Sequence, residues 1–429
     1  MHTLSWEGPL DVSVTFMHPG VKTFDIWLPS EIPNVSPRPF FQDVVVRMPN
    51  LVNLDIKSDV AVHEYEVDLV DFIHRLPKLR RITVPRFYIT TKIIEALSQL
   101  PVLEVIEFQY DDQGCGYYAD VIPFTPLVGE GSFTALRDLS LSTTYEDISR
   151  FFSLEFSPTN LTSLYIDSPI IETAATIYKF LCAVVNRCQL LKALSVVSLR
   201  SPDSEPDDGD EHYEITVEHI KPVFKLGNLK TLEVSHRYPL ALNIEDLKSL
   251  ACSWPSLETL ILNSEPVLIL RSDLTLDALL PFASHCPNLV HLGLFVDASR
   301  IHASSAPVPF KRLKRLSMGV SIIDDHKSVA LYLSRVLPAG CNVECGVTWD
   351  DEELSSADTS KEAFERCSRW EQVDRLLPVL IELRAEEKDR LKVLENEMDD
   401  LRLRNDMLSD SLKLGLSSQV MSDNSCVVF

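Results

Sequence analysis

The chain has 429 residues, 45% of them hydrophobic and 24% charged, which is the make-up of an ordinary folded protein rather than a disordered one. Its 63 acidic residues outweigh 40 Lys and Arg, for a formal net charge of −23; that balance speaks against nucleic-acid binding, because neutralising phosphates needs clustered cations. No apolar run is long enough for a membrane span. The opening Met1-His-Thr-Leu-Ser-Trp-Glu7 lacks a basic segment followed by an apolar core, so no secretory signal is visible and a cytoplasmic or nuclear location is expected.

Residues 1–47 hold one degenerate unit, Val21-Lys-Thr-Phe-Asp-Ile-Trp-Leu28, in which Phe24, Ile26 and Leu28 alternate as in a strand. A proline-rich connection with Pro29, Pro33, Pro37 and Pro39 follows, and the segment reads as a divergent N-terminal repeat or cap. From residue 48 to 347 one word recurs: Met48-Pro-Asn-Leu-Val-Asn-Leu-Asp-Ile56, Leu76-Pro-Lys-Leu-Arg-Arg-Ile-Thr-Val84, Leu100-Pro-Val-Leu-Glu-Val-Ile-Glu-Phe108, Trp254-Pro-Ser-Leu-Glu-Thr-Leu-Ile-Leu262 and Cys286-Pro-Asn-Leu-Val-His-Leu-Gly-Leu294 are the clearest copies. Others start at Phe133, Pro158, Gln189, Leu226 and Phe310, with a weak last copy at Cys341. The leading leucines are spaced by about 24 to 38 residues, an interval that overlaps leucine-rich repeats.

In each copy a Leu-x-Leu pair alternates inward on a short strand, and stacking the copies builds a parallel sheet. The segments between them, such as 67–76, 93–100, 174–185, 244–250 and 274–280, carry apolar residues three and four apart and read as helices covering the outer side of that sheet. The expected fold is therefore α/β: a leucine-rich-repeat solenoid with outer helices. Leu289, Leu292 and Leu294 are core. Recognition of a protein partner is expected on the residues between the leucines, among them Arg80, Arg81, Thr83, Glu104, Glu107, Arg137, Ser140, Val290, His291 and Gly293.

The stretch from Ser201 to His212 packs acidic residues with proline and glycine and reads as a solvated loop, with docking of a basic partner as the alternative. Residues 348–360 are polar and read as a linker. From 361 to 414 the only proline is Pro378 and helix formers dominate, so a helix is expected there, with a flexible tail over 415–429. Leu391 at heptad position a puts Leu394 at d, Met398 at a, Leu401 at d, Asn405 at a, Leu408 at d and Leu412 at a, the seam of a coiled coil. Arg390 and Glu397 at g face Glu395 and Arg402 at e of a parallel partner, and Asn405 is the kind of polar a residue that fixes register in dimers. Upstream the seam breaks, since Arg384 and Glu387 take a and d. The two readings of this helix are a homodimer and folding back on the solenoid.

The chain ends Asn424-Ser-Cys-Val-Val-Phe429, the form of a prenylation signal at Cys426, and Phe at the end favours geranylgeranyl. The residues before it supply no basic patch; an apolar end without function and capture by a peptide-binding domain are the alternatives. Membrane association is expected only through a lipid on Cys426.

Nine cysteines are scattered without the short Cys/His spacings of a zinc site; several sit at repeat positions normally held by small apolar residues, and those read as buried free thiols in a reducing compartment. There is no phosphate loop, His-Glu-x-x-His pair, nucleophile elbow or kinase signature. No catalytic residue, metal or cofactor is expected.

The irregular Leu-Pro-x-Leu-x-x-Leu-x-Leu units over most of residues 20–347 resemble the repeat region of fungal F-box and leucine-rich-repeat proteins. In that family the repeats select a substrate, and an N-terminal F-box docks the adaptor of a cullin-type ubiquitin ligase. The F-box helices are not recognisable in this chain: Leu28-Pro-Ser-Glu-Ile32 matches the start of one, but Pro33, Pro37 and Pro39 depart from its helices. The first expectation is a non-catalytic protein-interaction scaffold. The second, implied by the resemblance, is the substrate-recognition subunit of a ubiquitin ligase whose F-box is missing or truncated.

Overall fold

A computed structural model of the chain describes residues 2–28, 37–109, 113–199, 211–268, 271–301, 308–347 and 357–422, with the side chains of all of these except 211, 357–360 and 411–422. The acidic stretch 201–210, most of the F-box-like Leu28–Ile32 match, residues 348–356 of the linker and the Cys426 tail lie outside the described residues.

Thirteen short strands form one sheet, each paired in parallel with the next in chain order. They are β1 (Thr3–Trp6), β2 (Thr23–Trp27), β3 (Asn53–Lys57), β4 (Arg81–Pro85), β5 (Val105–Gln109), β6 (Asp138–Ser142), β7 (Ser163–Asp167), β8 (Ala193–Ser198), β9 (Thr231–His236), β10 (Thr259–Leu262), β11 (His291–Leu294), β12 (Arg315–Gly319) and β13 (Asn342–Cys345). The order follows from the Leu-x-Leu alternation, because only in-register stacking puts every copy's leucines in one row. That row runs through Leu139, Leu164, Leu194, Leu232, Leu260, Leu292 and Leu316, directly opposite one another and essentially without solvent contact. Each such side chain contributes roughly 1.5 to 3 kcal/mol through burial. The sheet with its outer helices, repeated along the chain, is a leucine-rich-repeat solenoid.

Helix starts are written in the sequence at its polar boundaries. The side chains of Thr90, Thr144 and Thr173 accept from the main-chain N–H groups of Ile93, Asp147 and Thr176, and Asn243 forms a reciprocal capping box with Asp246. Helix ends are set by the Pro that opens the next unit, as Pro77 does after Glu66–His74 and Pro101 after Thr91–Ser98.

Three elements differ from the sequence reading. The segment before residue 48 holds two strands rather than one, since Leu4 on β1 is enough to extend the sheet by a rung onto Phe24. Part of the proline-rich connection is helical, over Arg38–Arg47: Pro37 is the N-cap and Pro39 falls in the first turn, where a missing N–H costs nothing. The helix read over 274–280 is instead a 3-10 turn, Leu276–Leu279, followed by Leu280–His285 with Pro281 in its first turn.

After β5 the chain doubles back over β3. Gln113 donates to Asp55 Oδ1 (2.6 Å) and to the Ile56 carbonyl (2.7 Å), and its own carbonyl accepts from Ser58 (3.0 Å).

The terminal helix spans Ala357–Ser422, beyond the 361–414 stretch at both ends. Its first part closes the solenoid. Trp370, Val373 and Leu377 are fully buried in the main core, packed over β13 and the helix His326–Val336. Trp370 Nε1 donates to the Ser321 carbonyl (2.9 Å), Arg366 to the Val320 carbonyl (2.9 Å) and Arg369 to the Ile323 carbonyl (2.7 Å). Asp374 Oδ1 accepts from the Val343 N–H (2.8 Å), satisfying a donor on the edge strand that a further strand would otherwise have taken. A solenoid end needs such a cover because its last repeat has no neighbour to bury its apolar face.

Candidate functional site

Three rows of side chains cross the strands on the open side of the sheet. The first is the rim where the strands begin, occupied by the residue after the leading leucine, or after Val21 ahead of β2. A main-chain ladder holds it: Val52 donates to Lys22, Arg80 to Val52, Glu104 to Arg80, Arg137 to Glu104, Thr162 to Arg137, Lys192 to Thr162, Lys230 to Lys192, Glu258 to Lys230, Val290 to Glu258 and Lys314 to Val290, every N–H to O distance lying between 2.7 and 2.9 Å. Six of these positions are cationic and two, Glu104 and Glu258, are acidic. Arg80 pairs with Glu104 (3.2 Å) and Lys230 with Glu258 (2.6 Å).

The second row lies within the strands and carries Asp25, Asp55, Glu107, Glu233 and Glu344. Burial raises the pKa of Asp55 and of Glu233 above the usual carboxylate range, and does the same for Asp138 two residues nearer the rim. Several residues expected to be free for recognition are covered by their neighbours in this row. Thr83 is buried and donates to Glu107 Oε1 (2.9 Å); His291 is buried with Nε2 at 2.7 Å from Ser317 Oγ, and burial lowers its pKa. Gly293 and Ser140 are buried as well, Gly293 under Ile261. Arg80, Arg81 and Arg137 are exposed, while Glu104, Glu107 and Val290 are half-buried, with Arg81 paired to Glu107 (3.1 Å).

The third row, at the carboxyl ends of the strands, is a buried polar spine that sequence reading missed. Arg86, after β4, reaches across two strands to an ion pair with Asp167 at the end of β7, both nearly inaccessible. Glu172 Oε1 accepts from the Tyr145 N–H (2.6 Å) and from Ser168 (2.7 Å), and the Glu172 N–H donates to Ser198 (2.7 Å). His236 Nδ1 accepts from the Tyr238 N–H (3.2 Å), so Nε2 carries the proton and donates to the Glu172 carbonyl (3.0 Å). Asn263, in the left-handed region at φ 49°, accepts from the His236 N–H and donates to the Tyr238 carbonyl. Burial pushes Glu172 up to about 7 and His236 down to about 4. Apart from the local Ser168–Glu172 and Tyr238–His236 bonds, these partners are 25 to 81 residues apart, so no local motif announces them.

The projecting helix forms the other surface. Leu391, Leu394, Met398, Leu401 and Leu408 are between 48% and 64% exposed, Asn405 is exposed, and Leu412 lies on the same helix. Counting the heptads backwards puts Leu377 and Trp370 at a and Leu380 and Val373 at d. One stripe therefore runs along the helix from Trp370 to Leu408. Its first half is covered by the solenoid, the Arg384 and Glu387 break marks the boundary, and its second half stands in solvent. Arg384 makes a contact near that boundary, donating from Nε to Ser334 Oγ (2.6 Å). Folding back thus accounts for the part before the break and not for the seam.

Cys188, Cys286 and Cys341, each at the start of a repeat unit or just before one, are buried, and burial pushes each thiol up to about 12; Cys182, Cys345 and Cys367 are half-buried, and Cys115 and Cys252 are exposed. Among the described residues no group of three or more His, Cys, Asp or Glu is arranged to hold a metal ion, and no helix is long and apolar enough to cross a membrane.

Fold and surfaces together define a leucine-rich-repeat solenoid closed at one end by a helix that continues outward. No protein-family model matches the chain, and no curated protein matches it. Among solved structures it is similar to the leucine-rich-repeat-containing protein LegL7 from Legionella pneumophila, at 12% identity over 85% of this chain and 97% of that one, with a TM-score of 0.40. It is also similar to the structure of the Rad7 and Elc1 complex in yeast, at 14% identity over 81% of each chain and a TM-score of 0.39. A third similar structure is the TLR13–ssRNA13 complex, at 17% identity over 77% of this chain and 46% of that one, with a TM-score of 0.33.

Proposed function

We propose that the chain is a non-catalytic protein-interaction scaffold: the open sheet face binds a protein partner, and the projecting helix pairs two copies in parallel. The observation that carries the reading is the divided stripe of the terminal helix. An apolar seam that is buried under the cap and then continues, in the same heptad register, into solvent has the chemistry of an interface whose second half is supplied by another molecule. The occupant is a second copy because the seam is complementary to itself. In a parallel pair Arg390 meets Glu395 of the partner subunit and Glu397 meets Arg402 of the partner subunit, while Asn405 meets its own counterpart. Helix beyond residue 384 extends for roughly 57 Å at 1.5 Å per residue, enough to hold two solenoids apart with both sheet faces open.

Sedimentation equilibrium of the full chain at micromolar concentration tests this. A dimer is expected, and the double substitution Leu394→Glu/Leu401→Glu should yield a monomer with unchanged helix content. A wild-type chain that sediments as a monomer throughout that range would sink the pairing.

A further inference from the structure

We infer that the cationic rim of the sheet is a docking line for an extended, acidic segment of a protein partner. The inference deepens the scaffold reading by naming the partner's chemistry, and it does not depend on pairing through the helix. It starts from a contrast. In a chain of net charge −23, the rim from Lys22 to Lys314 puts six cations against two anions along one edge.

The ladder makes those charges a line rather than a scatter. Neighbouring strands lie about 4.8 Å apart, so Arg137 and Lys314, on consecutive rungs of β6 to β12, are separated by roughly 29 Å, the reach of about nine extended residues. Lys22, Arg137, Lys192 and Lys314 are exposed and have no ion-pair partner among the described residues. Arg80 and Lys230 are held only by half-exposed acids of the same rim, in bridges weak enough to be exchanged for a ligand carboxylate.

The second row decides which polyanion fits. Asp25, Asp55, Glu107 and Glu233 lie three residues past the rim positions Lys22, Val52, Glu104 and Lys230, about 10 Å further along their strands at about 3.3 Å per residue. An anion is thus attracted to one line and repelled by a second about 10 Å away along the strands. A single extended chain with a carboxylate on alternate residues can keep to that line; a nucleic-acid backbone, broader and charged at every unit, would overlap the acidic row.

The test uses the full chain and a fluorescein-labelled peptide of alternating glutamate and serine, with a glutamine-for-glutamate peptide as the neutral control, read by fluorescence anisotropy at low and at physiological salt. Wild type should bind the acidic peptide and not the neutral one, and added salt should weaken binding. Arg137→Glu/Lys192→Glu should weaken it by about tenfold or more, whereas Lys179→Glu/Lys327→Glu, with the same charge change on outer-helix positions, should change it by less than about threefold. Equal losses in both double variants would reduce the effect to net charge and overturn the docking line. So would absence of binding by wild type at low salt, or tighter binding of polyuridylate than of the peptide. Leu394→Glu/Leu401→Glu should bind the peptide like wild type, so failure of pairing and failure of the rim are told apart.

Discussion

Replacing Trp370 by alanine should unfasten the cap. The indole is completely buried beside Val373 and Leu377, and its Nε1 satisfies the Ser321 carbonyl at 2.9 Å. Truncating a fully buried tryptophan costs about 3 to 5 kcal/mol through lost contacts and the cavity left behind. Loss of the hydrogen bond adds about 1 kcal/mol, more if the carbonyl stays dry. Because repeats are stabilised mainly by their neighbours, the loss should fall on the C-terminal units rather than on the whole array. Urea unfolding followed by circular dichroism should show a lower midpoint and a broader transition. Amide hydrogen exchange should rise over the helix from about residue 361 to 384 and over β12 and β13, and stay unchanged near β4 to β8. Trp370→Phe, which keeps much of the volume but not the donor, should fall in between. A loss below about 1 kcal/mol, or exchange raised uniformly along the chain, would refute the assignment of this helix as the closing element.

Other consequences can be measured with equal directness. Glu172 is raised from 4.5 to about 7 by burial, so its contribution to stability is complete below pH 4.5 and is lost as pH rises through 7, on the order of 3 kcal/mol. Glu172→Gln should flatten the decline in stability between pH 5 and pH 8. His236, lowered to about 4, works the other way, its contribution being present above pH 6.5 and lost as pH falls through 4; thermal melts across pH should therefore keep their acid limb in the Glu172 variant. Gly319 has φ 46° and a Cβ there would stand 2.1 Å from the Ser264 carbonyl, so Gly319→Ala should destabilise by more than about 2 kcal/mol. At Gly293 the nearest atom is a side-chain carbon of Ile261 at 3.2 Å, and chemical denaturation of Gly293→Ala should show a loss under about 1 kcal/mol. Iodoacetamide at neutral pH should label Cys115 and Cys252 well before Cys188 and Cys286, as peptide mapping by mass spectrometry would show.

The strands that could be read from sequence are those with a full Leu-x-x-Leu-x-Leu, because a repeated inward pair leaves little choice of partner or register. β1 was unreadable for the converse reason: it contributes Leu4 but no leading Pro-x-Leu, and only the neighbouring β2 shows that it is a rung. The helix over Arg38–Arg47 was hidden by prolines that look like breakers until Pro37 and Pro39 are placed at its first turn. On the open face, sequence alternation tells which residues point away from the core and says nothing of how closely the adjacent strands cover them, which is why Thr83 and His291 were expected in solvent and lie beneath Glu107 and Ser317. The rim was legible in principle. Arg80 and Arg137 follow their leading leucines, as do Lys192, Lys230 and Lys314, and Lys22 follows Val21 in the same position, but the row becomes a single feature only when the ladder aligns them. The spine of Arg86, Asp167, Glu172, His236 and Asn263 had no sequence signal, since it depends on loops of different length meeting at one depth.

The rim ladder separates two things that are joined in most proteins. Between consecutive leading leucines the chain travels anything from about 24 to 38 residues, yet each rung advances by one hydrogen bond of nearly constant length. Connecting segments can therefore lengthen or shorten without moving any rim residue relative to its neighbours. A change of side chain on a rung, equally, alters what the edge presents without touching the leucines beneath. The molecule in effect keeps its rim and its connecting loops under separate inheritance, so that what the edge presents and how the chain is strung together are free to drift independently.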